Sequence, residues 1–235
     1  MNTNREIVSL SNVIKNYGHG EVITKALQGI NLKINQGDFS VIMGPSGCGK
    51  STMLNIIGGL DKSTSGEVKF DGKDFNSLTN KELSIIRRNQ IGFVFQNYNL
   101  LPVLTAYENA EYVLMLQEIP VSQRKEKVMH FFKEMGLDGL ENRLPRELSG
   151  GQQQRVAIAR AVVSDPLLML ADEITANVDS ETAQSLLLLM EKLNKINKTT
   201  FLISTHDPAV IKFAKKVIVL KDGRIDKEEL SSENI

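Results

Sequence analysis

Residues 44–51, GPSGCGKS, fit the pattern G-x-x-x-x-G-K-[ST], in which glycines precede a lysine and a hydroxyl group. The glycines allow the backbone to wrap around a chain of phosphates, whose negative charge would meet N–H groups at a helix N-terminus. Lys50 supplies a positive charge for the terminal phosphates, and the hydroxyl of Ser51 is a ligand for Mg²⁺. This run predicts a site for nucleotide phosphates.

The flanking sequence predicts the strand and the helix that such a loop requires. GDFSVIM at 37–43 predicts a strand that ends directly at Gly44, and KSTMLNIIGGL at 50–60 has apolar residues at helical spacing up to two glycines. Cys48 lies inside the loop, where the pattern uses only backbone and no histidine is close in sequence, so we expect a small filler and not a nucleophile. The alternative for the whole run is a glycine-rich turn that merely starts a helix.

Two carboxylates end the apolar run LLMLADE at 167–173. If strand geometry persists, Asp172 and Glu173 point to opposite faces, so that one can hold Mg²⁺ and the other an attacking water. The alternative is that an acid just past the strand caps the next helix or turn. Beside a phosphate loop, the functional interpretation is favoured.

His206 follows another apolar run, TTFLIST at 199–205. A lone histidine is more often a packing or surface residue, but ligands gather where the strands of an α/β sheet end. The position of His206 therefore favours contact with the terminal phosphate. We do not expect a zinc site, because the other histidines are His19 and His130 and the sequence has no cysteine cluster.

Composition excludes several classes of protein. The 235-residue chain is 41% hydrophobic, which is ample for a buried core. Lys plus Arg and Asp plus Glu number 28 each, so the overall charge predicts no nucleic-acid partner. Apolar runs are shorter than the roughly 18 residues that cross a bilayer, so we expect no membrane span. The N-terminus lacks the pattern of a secretory leader, and a single cysteine excludes an intrachain disulfide. We expect a globular protein in the cytosol.

The order of predicted elements changes in the middle of the chain. Strand-like runs occupy 5–42, GEVKFDGKD at 66–74 predicts a hairpin, and IGFVFQ at 91–96 predicts a further strand. Helical patterns at 106–118 and 122–135 follow. Strand-like runs return at 167–172, 199–205 and 216–225.

This order predicts an α/β core at 1–96 and 164–235. The core is interrupted at about 97–163 by a helical insertion, for which we expect a small apolar core of its own.

A second glycine-rich loop, LSGGQ at 148–152, has no lysine and lies between Gln96 and LLMLADE. With the phosphate loop, these motifs make the chain resemble the nucleotide-binding subunits of ATP-binding cassette (ABC) transporters over nearly its whole length. The resemblance implies an α/β fold with a P-loop NTPase core, in which a mixed sheet is flanked by helices, together with an antiparallel β subdomain and an inserted α-helical subdomain. It also implies an ATPase that binds ATP and Mg²⁺, forms a homodimer and drives a transmembrane permease from the cytoplasmic, inner face of the cell membrane.

In this family two cassettes pack head to tail around ATP, and the resemblance implies a role for each matching residue. The implied catalytic residues are Glu173 as general base, His206, Gln96 and Lys50. The implied ATP-binding residues of the same chain are Tyr17, which stacks on adenine, and Gly44, Pro45, Ser46, Gly47, Cys48, Gly49, Lys50, Ser51 and Thr52. The partner's ATP is implied to meet Ser149, Gly150, Gly151, Gln152 and Asp179, and Mg²⁺ to meet Ser51, Gln96 and Asp172. The alternative for Tyr17 is an aromatic side chain at the edge of the core.

Longer stretches such as LSGGQQQRVAIARA at 148–161 are similar to cassettes of the lipoprotein-releasing and macrolide-exporting group, which implies export, lipoprotein release or mechanical work outside the membrane. The chain has ADEITANVDS where that group has A-D-E-P-T-G-N-L-D-S, so Ile174, Ala176 and Val178 replace proline, glycine and leucine. Without the proline, Glu173 is freer to adopt other conformations, and we expect a low basal rate. The alternatives are a regulatory cassette that controls an extracytoplasmic enzyme without transport, and a soluble ATPase that acts on nucleic acid or ribosomes.

Overall fold

The computed structural model describes residues 5–18, 22–175 and 178–230, which form two sheets and the helices around them. The strands are β1 (Glu6–Tyr17), β2 (Thr24–Asn35), β3 (Phe39–Met43), β4 (Ser65–Phe70), β5 (Lys73–Asp74), β6 (Ile91–Val94), β7 (Leu168–Asp172), β8 (Thr200–Ser204), β9 (Lys216–Lys221) and β10 (Arg224–Leu230). The helices are α1 (Lys50–Ile57), α2 (Asn80–Gln90), α3 (Ala106–Leu116), α4 (Val121–Glu134), α5 (Gly150–Val162), α6 (Ser180–Asn197) and α7 (Pro208–Ile211).

The larger sheet is mixed and has the strand order β10-β9-β3-β8-β7-β6. Its strands are parallel except β10, which pairs antiparallel with β9. The smaller sheet is antiparallel, with the order β2-β1-β4-β5. These two sheets and their flanking helices confirm the predicted α/β class, including the antiparallel β part.

The run at 216–225, predicted as one stretch of strand, is instead a hairpin. Asp222 and Gly223 have positive φ angles of 47° and 72° and reverse the chain between β9 and β10. Such angles suit a tight turn between paired strands. The Asp-Gly pair in KVIVLKDGRI was therefore the signal for a turn.

Local sequence explains where several helices begin. α2, α3 and α5 each start with a capping box. The side chain of the Ser or Thr cap accepts a hydrogen bond from the backbone N–H of the third residue after it. The Glu or Gln side chain of that third residue accepts one from the backbone N–H of the cap. The cap residues are Thr79, Thr105 and Ser149. Each box thus satisfies one N–H group in the first turn and the N–H group of the cap residue. Among the described helices, none is both long enough and apolar enough to cross a bilayer.

The larger sheet is buried on both faces. Met169 and Phe201 belong to an apolar cluster on one face, whereas their neighbours Leu170 and Leu202 belong to the cluster shared with α1 and the smaller sheet. The first cluster also contains Phe132 of α4 and much of α3 and α5. The expectation of a separate apolar core for the helical segment was therefore wrong. α5 packs against both α3 and β6, so the apolar side chains of the helical segment and those of the sheet form one continuous core.

Candidate functional site

Most of the predicted site residues meet in one cleft of about 680 Å³ at the edge where the parallel strands end. The predicted residues that line it are Tyr17, Gly44, Pro45, Ser46, Gly47, Gly49, Lys50, Ser51, Thr52, Gln96, Asp172, Glu173 and His206. The loops that follow β3, β6, β7 and β8 carry most of them. This is the edge at which ligands bind in open α/β sheets.

Three cleft residues were not predicted: Thr24, Lys25 and Ala26 at the start of β2. Pairing of β1 with β2 places Thr24 opposite Tyr17. Predicting these residues would have required the register of the β1–β2 pair, because none of the three residue types marks a site by itself.

The phosphate loop leaves the N-terminus of α1 without a side-chain cap. In α2, α3, α5 and α6 a cap side chain binds one N–H group of the first turn. At α1 the cap residue is Gly49, in a left-handed conformation with φ of 108°. The uncapped N–H groups and the positive end of the helix dipole make this terminus suited to an anion.

Close packing of the loop requires glycine at two positions. A Cβ atom on Gly44 would lie 2.1 Å from the carbonyl oxygen of Leu220, and one on Gly49 would lie 2.6 Å from that of Ala26. Both residues have positive φ. Any side chain here would displace the backbone that forms the cradle.

Cys48 differs from the other predicted loop residues because its side chain is buried and does not line the cleft. Its sulfur lies beside Gly44, 2.7 Å from where a Cβ would stand. The Cys48 N–H donates to the carbonyl oxygen of Pro45 at 3.3 Å. In this conformation the Cys48 side chain fills space on the buried side of the loop, next to Gly44.

Lys50, Glu173 and His206 come together at the centre of the cleft. Lys50 Nζ donates to the carbonyl oxygens of Gly44 and Pro45, at 2.8 and 3.2 Å, and lies 3.8 Å from Glu173 Oε1. His206 Nδ1 lies 2.8 Å from Glu173 Oε2. One carboxylate is thus placed between an ammonium group and an imidazole.

The condition for placing Asp172 and Glu173 on opposite faces, that strand geometry persists through both, is met by Asp172 but not by Glu173. β7 ends at Asp172, and Glu173 has a positive φ of 50°, so simple alternation does not apply. The Glu173 N–H donates to the carbonyl oxygen of Ser204, and the Ser204 hydroxyl donates to Asp172. Both carboxylates nevertheless line the cleft, and the next helix, α6, is capped by Asp179 and not by either of them.

Oxygen donors suited to Mg²⁺ lie in the same cleft, from Ser51, Gln96 and Asp172. Within the described ranges, His, Cys, Asp and Glu form no cluster of three or more that could hold a metal ion. This donor set fits Mg²⁺, which is bound by one or two carboxylates together with substrate phosphates and water. It does not fit zinc.

The residues predicted to meet the partner's ATP lie outside this cleft. Ser149 caps α5, and the Gln152 side chain accepts from the Ser149 N–H at 2.9 Å. Asp179 caps α6 by accepting from the N–H and hydroxyl of Thr182, at 2.9 and 2.8 Å, and these bonds lower the pKa of Asp179. The loop of Gly150 and Gly151 therefore stands apart from the phosphate loop of its own chain.

The three departures from the resembling pattern fall at or just after the end of β7. Ile174 is buried in the apolar cluster of the helical face. Val178 is half-buried, two residues before α6 begins. Ala176 lies outside the described residues, as does His19.

Comparison with known proteins identifies the family. Residues 27–176 match the family model described as ABC transporter. An uncharacterized ABC transporter ATP-binding protein of Methanocaldococcus jannaschii, MJ0796, is 47% identical over 95% of this chain and 97% of its own. A dimeric structure of MJ0796 in a post-hydrolysis state with ADP and Pi superposes with a TM-score of 0.91, at 47% identity over 95% of this chain and 98% of that chain.

Two relatives carry more specific names. The lipoprotein-releasing system ATP-binding protein LolD of Blochmanniella floridana is 40% identical over 93% of each chain. The macrolide export ATP-binding/permease protein MacB of Syntrophobacter fumaroxidans is 42% identical over 95% of this chain, which corresponds to 32% of MacB. With the complete phosphate loop, the LSGGQ loop and the shared fold, these likenesses establish that the chain belongs to the ABC transporter family, as an ATP-binding cassette that hydrolyses ATP.

Proposed function

We propose that two copies of this chain close around ATP, with the phosphate loop of one copy and the Ser149–Gly151 loop of the other on opposite sides of each nucleotide. The observation that carries this proposal is the position of the second loop, which lies outside the cleft that contains Lys50 and Glu173. Its residues start α5, so they offer N–H groups and the positive end of a helix dipole to a γ-phosphate. A second lysine is not required, because the helix terminus supplies the attraction.

Within each site, Lys50 would exchange its carbonyl acceptors for the β and γ phosphates of ATP. Glu173 would accept a proton from water as the water oxygen attacks the γ-phosphorus, and the bond from that phosphorus to the bridging oxygen of ADP breaks. His206, whose Nδ1 faces Glu173, would hold the carboxylate and present Nε2 to the γ-phosphate. Mg²⁺ held by Ser51, Gln96 and Asp172 would neutralise charge on the phosphates when bound.

Tyr17 would stack on the adenine base at the other end of the cleft. Tyr17 is 40% exposed and lines the cleft, so a planar base can reach it. The alternative role in the core is less compatible with that exposure. Thr24, Lys25 and Ala26 add a second wall near the ring.

The membrane partner is proposed from the relatives. The printed names of LolD and MacB refer to lipoprotein release and macrolide export, and that of MacB includes a permease. We infer that this cassette acts at the inner face of the cell membrane and drives a transmembrane permease for export, lipoprotein release or extracytoplasmic mechanical work. We keep the division into a nucleotide-binding core, 1–96 and 164–235, and a helical signature subdomain at about 97–163 as part of this proposal.

Light scattering on the Glu173→Gln variant tests the shared site. Without the base, ATP stays intact, so we expect MgATP to convert the variant from monomer to dimer while the unaltered chain releases phosphate in a colorimetric assay. Glu126→Gln, at an exposed position of α4, is the matched control and should hydrolyse ATP like the unaltered chain. A monomeric Glu173→Gln protein with MgATP bound at saturation would contradict the shared site.

Affinity purification of the chain from its native membranes tests the second part. We expect a membrane protein with at least one span to co-purify, and to raise the rate of ATP hydrolysis when both are reconstituted in lipid vesicles. Co-purification of ribosomes or nucleic acid without a membrane protein would favour the soluble alternative.

A further inference from the structure

The hydroxyl of Tyr17 is held by an acid from a distant part of the chain. Tyr17 Oη donates to Asp61 Oδ2 at 2.7 Å, across 44 positions in sequence. The Thr52 side chain, in the first turn of α1, also interacts with the phenol. The ring that we assign to adenine is therefore attached at its far end and does not move as a free surface side chain.

The opposite oxygen of Asp61 binds a lysine that also covers the ring. Lys15 Nζ donates to Asp61 Oδ1 at 2.7 Å and to the carbonyl oxygen of Lys62 at 2.8 Å. The same ammonium lies 4.6 Å from the centroid of the Tyr17 ring. The Lys15 side chain is only 12% exposed and is not part of the cleft wall, so its contact with the ring leaves the cleft side of Tyr17 open.

Asp61 is itself attached to the helix that carries the phosphate loop. The N–H groups of Leu60 and Asp61 both donate to the carbonyl oxygen of Asn55 in α1. The Lys62 N–H donates to Asp61 Oδ1 at 2.7 Å. The carboxylate thus has a fixed position relative to Lys50 and Ser51, which begin the same helix.

We propose that Asp61 and Lys15 are positioning residues for nucleotide binding, which hold the Tyr17 ring at a fixed distance from the phosphate loop with one face presented to the base. This inference rests on the proposed stacking of Tyr17. Burial, and then the bond to Asp61, raises the pKa of the Tyr17 phenol, which keeps the hydroxyl protonated as the donor. A ring that is already oriented costs less conformational entropy when the base binds.

The test compares two ligands that differ in the adenosine group. Calorimetric titrations with MgADP and with magnesium tripolyphosphate are made on Tyr17→Ala, Tyr17→Phe, Asp61→Ala and the unaltered chain. Tyr17→Phe keeps the ring and removes only the hydroxyl, so it carries the test even if Asp61→Ala folds poorly. Glu134→Ala is the control, because Glu134 is a surface acid paired with Lys192 on other helices.

We expect Tyr17→Ala to bind MgADP about tenfold more weakly or worse, the usual range for loss of base stacking. Tyr17→Phe and Asp61→Ala should each lose about three- to tenfold, because the ring must then be ordered on binding. Tripolyphosphate affinity should stay unchanged in all of them, and the KM for ATP should rise while kcat at saturation is kept. Glu134→Ala should change neither ligand.

Three results would overturn the inference, and each identifies which part of it fails. If Tyr17→Ala binds MgADP normally, stacking fails, and the adenine part of the proposed function fails with it. If Tyr17→Ala is weak but Tyr17→Phe and Asp61→Ala are normal, stacking stands and positioning is wrong. If Asp61→Ala loses MgADP and tripolyphosphate equally, Asp61 only supports the phosphate loop through α1.

Discussion

Glu173 and His206, which follow two different strands, lie 2.8 Å apart, and Glu173 is also 3.8 Å from Lys50. The carboxylate therefore has a cationic or hydrogen-bonding group on each side before any nucleotide is bound. A γ-phosphate that enters this space brings negative charge toward Glu173, and the attraction of Lys50 and His206 for the phosphate must exceed their attraction for the carboxylate. Binding of the γ-phosphate therefore weakens the hold of Lys50 and His206 on Glu173, which frees the carboxylate to accept a proton from water.

The first prediction concerns Ile174, which stands where the resembling pattern has proline. Proline restricts the backbone of the preceding residue, so Ile174→Pro should reduce the number of conformations open to Glu173 while it holds the attacking water. We expect basal phosphate release to rise by about two- to tenfold, the effect of a backbone preference near 1 kcal/mol. Ile174→Val is the control, because it keeps an apolar side chain in the core and leaves Glu173 unrestricted. An unchanged or lower rate in Ile174→Pro, with wild-type thermal stability, would contradict this explanation.

The second prediction uses two inactive variants to test the shared site, in which each nucleotide lies between loops of two copies. Lys50→Ala removes the phosphate-loop cation, and Ser149→Asp places a negative charge at the N-terminus of α5 while keeping a good helix cap. Each variant alone should be inactive. A mixture in equal amounts should recover about a quarter of the unaltered activity, because half of the dimers are mixed and each has one intact site.

The control for Ser149→Asp is the same change at another helix cap. Thr105 caps α3 through the same kind of capping box, so Thr105→Asp tests whether a charged cap by itself harms the protein. It should stay active. Lack of recovery in the mixture, with mixed dimers demonstrated by mass spectrometry, would indicate that each chain uses only its own loops.

The sequence predicted the centre of the site well because each residue there follows an element with a strong local signal. β3, β7 and β8 are short apolar runs, and the cleft residues at their ends or just after them are Gly44, Asp172, Glu173 and His206. In a parallel sheet such ends meet at one edge, so order along the chain was enough to bring them together. The fold class followed from the same order of elements.

Contacts between distant segments were out of reach of the same reasoning. Lys15 and Asp61 lie 46 positions apart, and nothing local to either residue indicates the ion pair. α6 was not predicted either, although Leu186, Leu187, Met190 and Leu193 are buried at helical spacing. The positive φ of Glu173 depends on tertiary bonds, among them the one to Ser204.

The third prediction separates two reasons for glycine at position 151. A Cβ there would lie 3.2 Å from Thr182 Cγ2, so Gly151→Ala should reduce thermal stability by crowding α6. It should also weaken ATP-driven dimerisation, because the loop backbone could no longer approach a γ-phosphate closely. Adding Thr182→Ser removes the crowding methyl group and keeps the hydroxyl that donates to Asp179.

We therefore expect the double variant to recover its unfolding temperature but not its dimerisation, as measured by light scattering on a Glu173→Gln background. Thr182→Ser alone is the control and should dimerise normally. Recovery of dimerisation together with stability would mean that Gly151 serves packing only.

The fourth prediction is a pH dependence at Asp61. Burial acts to raise its pKa, but hydrogen bonds from Lys15, Tyr17 and the Lys62 N–H outweigh it, so the folded pKa lies below the ordinary 3.8. The charged form is the one stabilised in the folded state, so this stability is present above 3.8 and is lost as the pH falls through the folded pKa. The pKa of Tyr17 is shifted in the opposite direction, upward, so its contribution to stability is present below the ordinary 10.0 and is lost only as the pH rises above it. The network should therefore stay intact throughout the neutral range.

Urea unfolding of the unaltered chain and of Asp61→Ala, from about pH 8 down to about pH 3.5, measures this contribution as a difference in unfolding free energy. We expect that difference to be constant between about pH 8 and pH 6 and to shrink below about pH 4, as Asp61 takes up a proton and the ion pair with Lys15 is lost. Asp165→Asn, an exposed acid paired with Lys127, serves as control and should leave a small difference throughout. A difference that already shrinks between pH 8 and pH 6 would show that a group other than Asp61 controls the stability of this network.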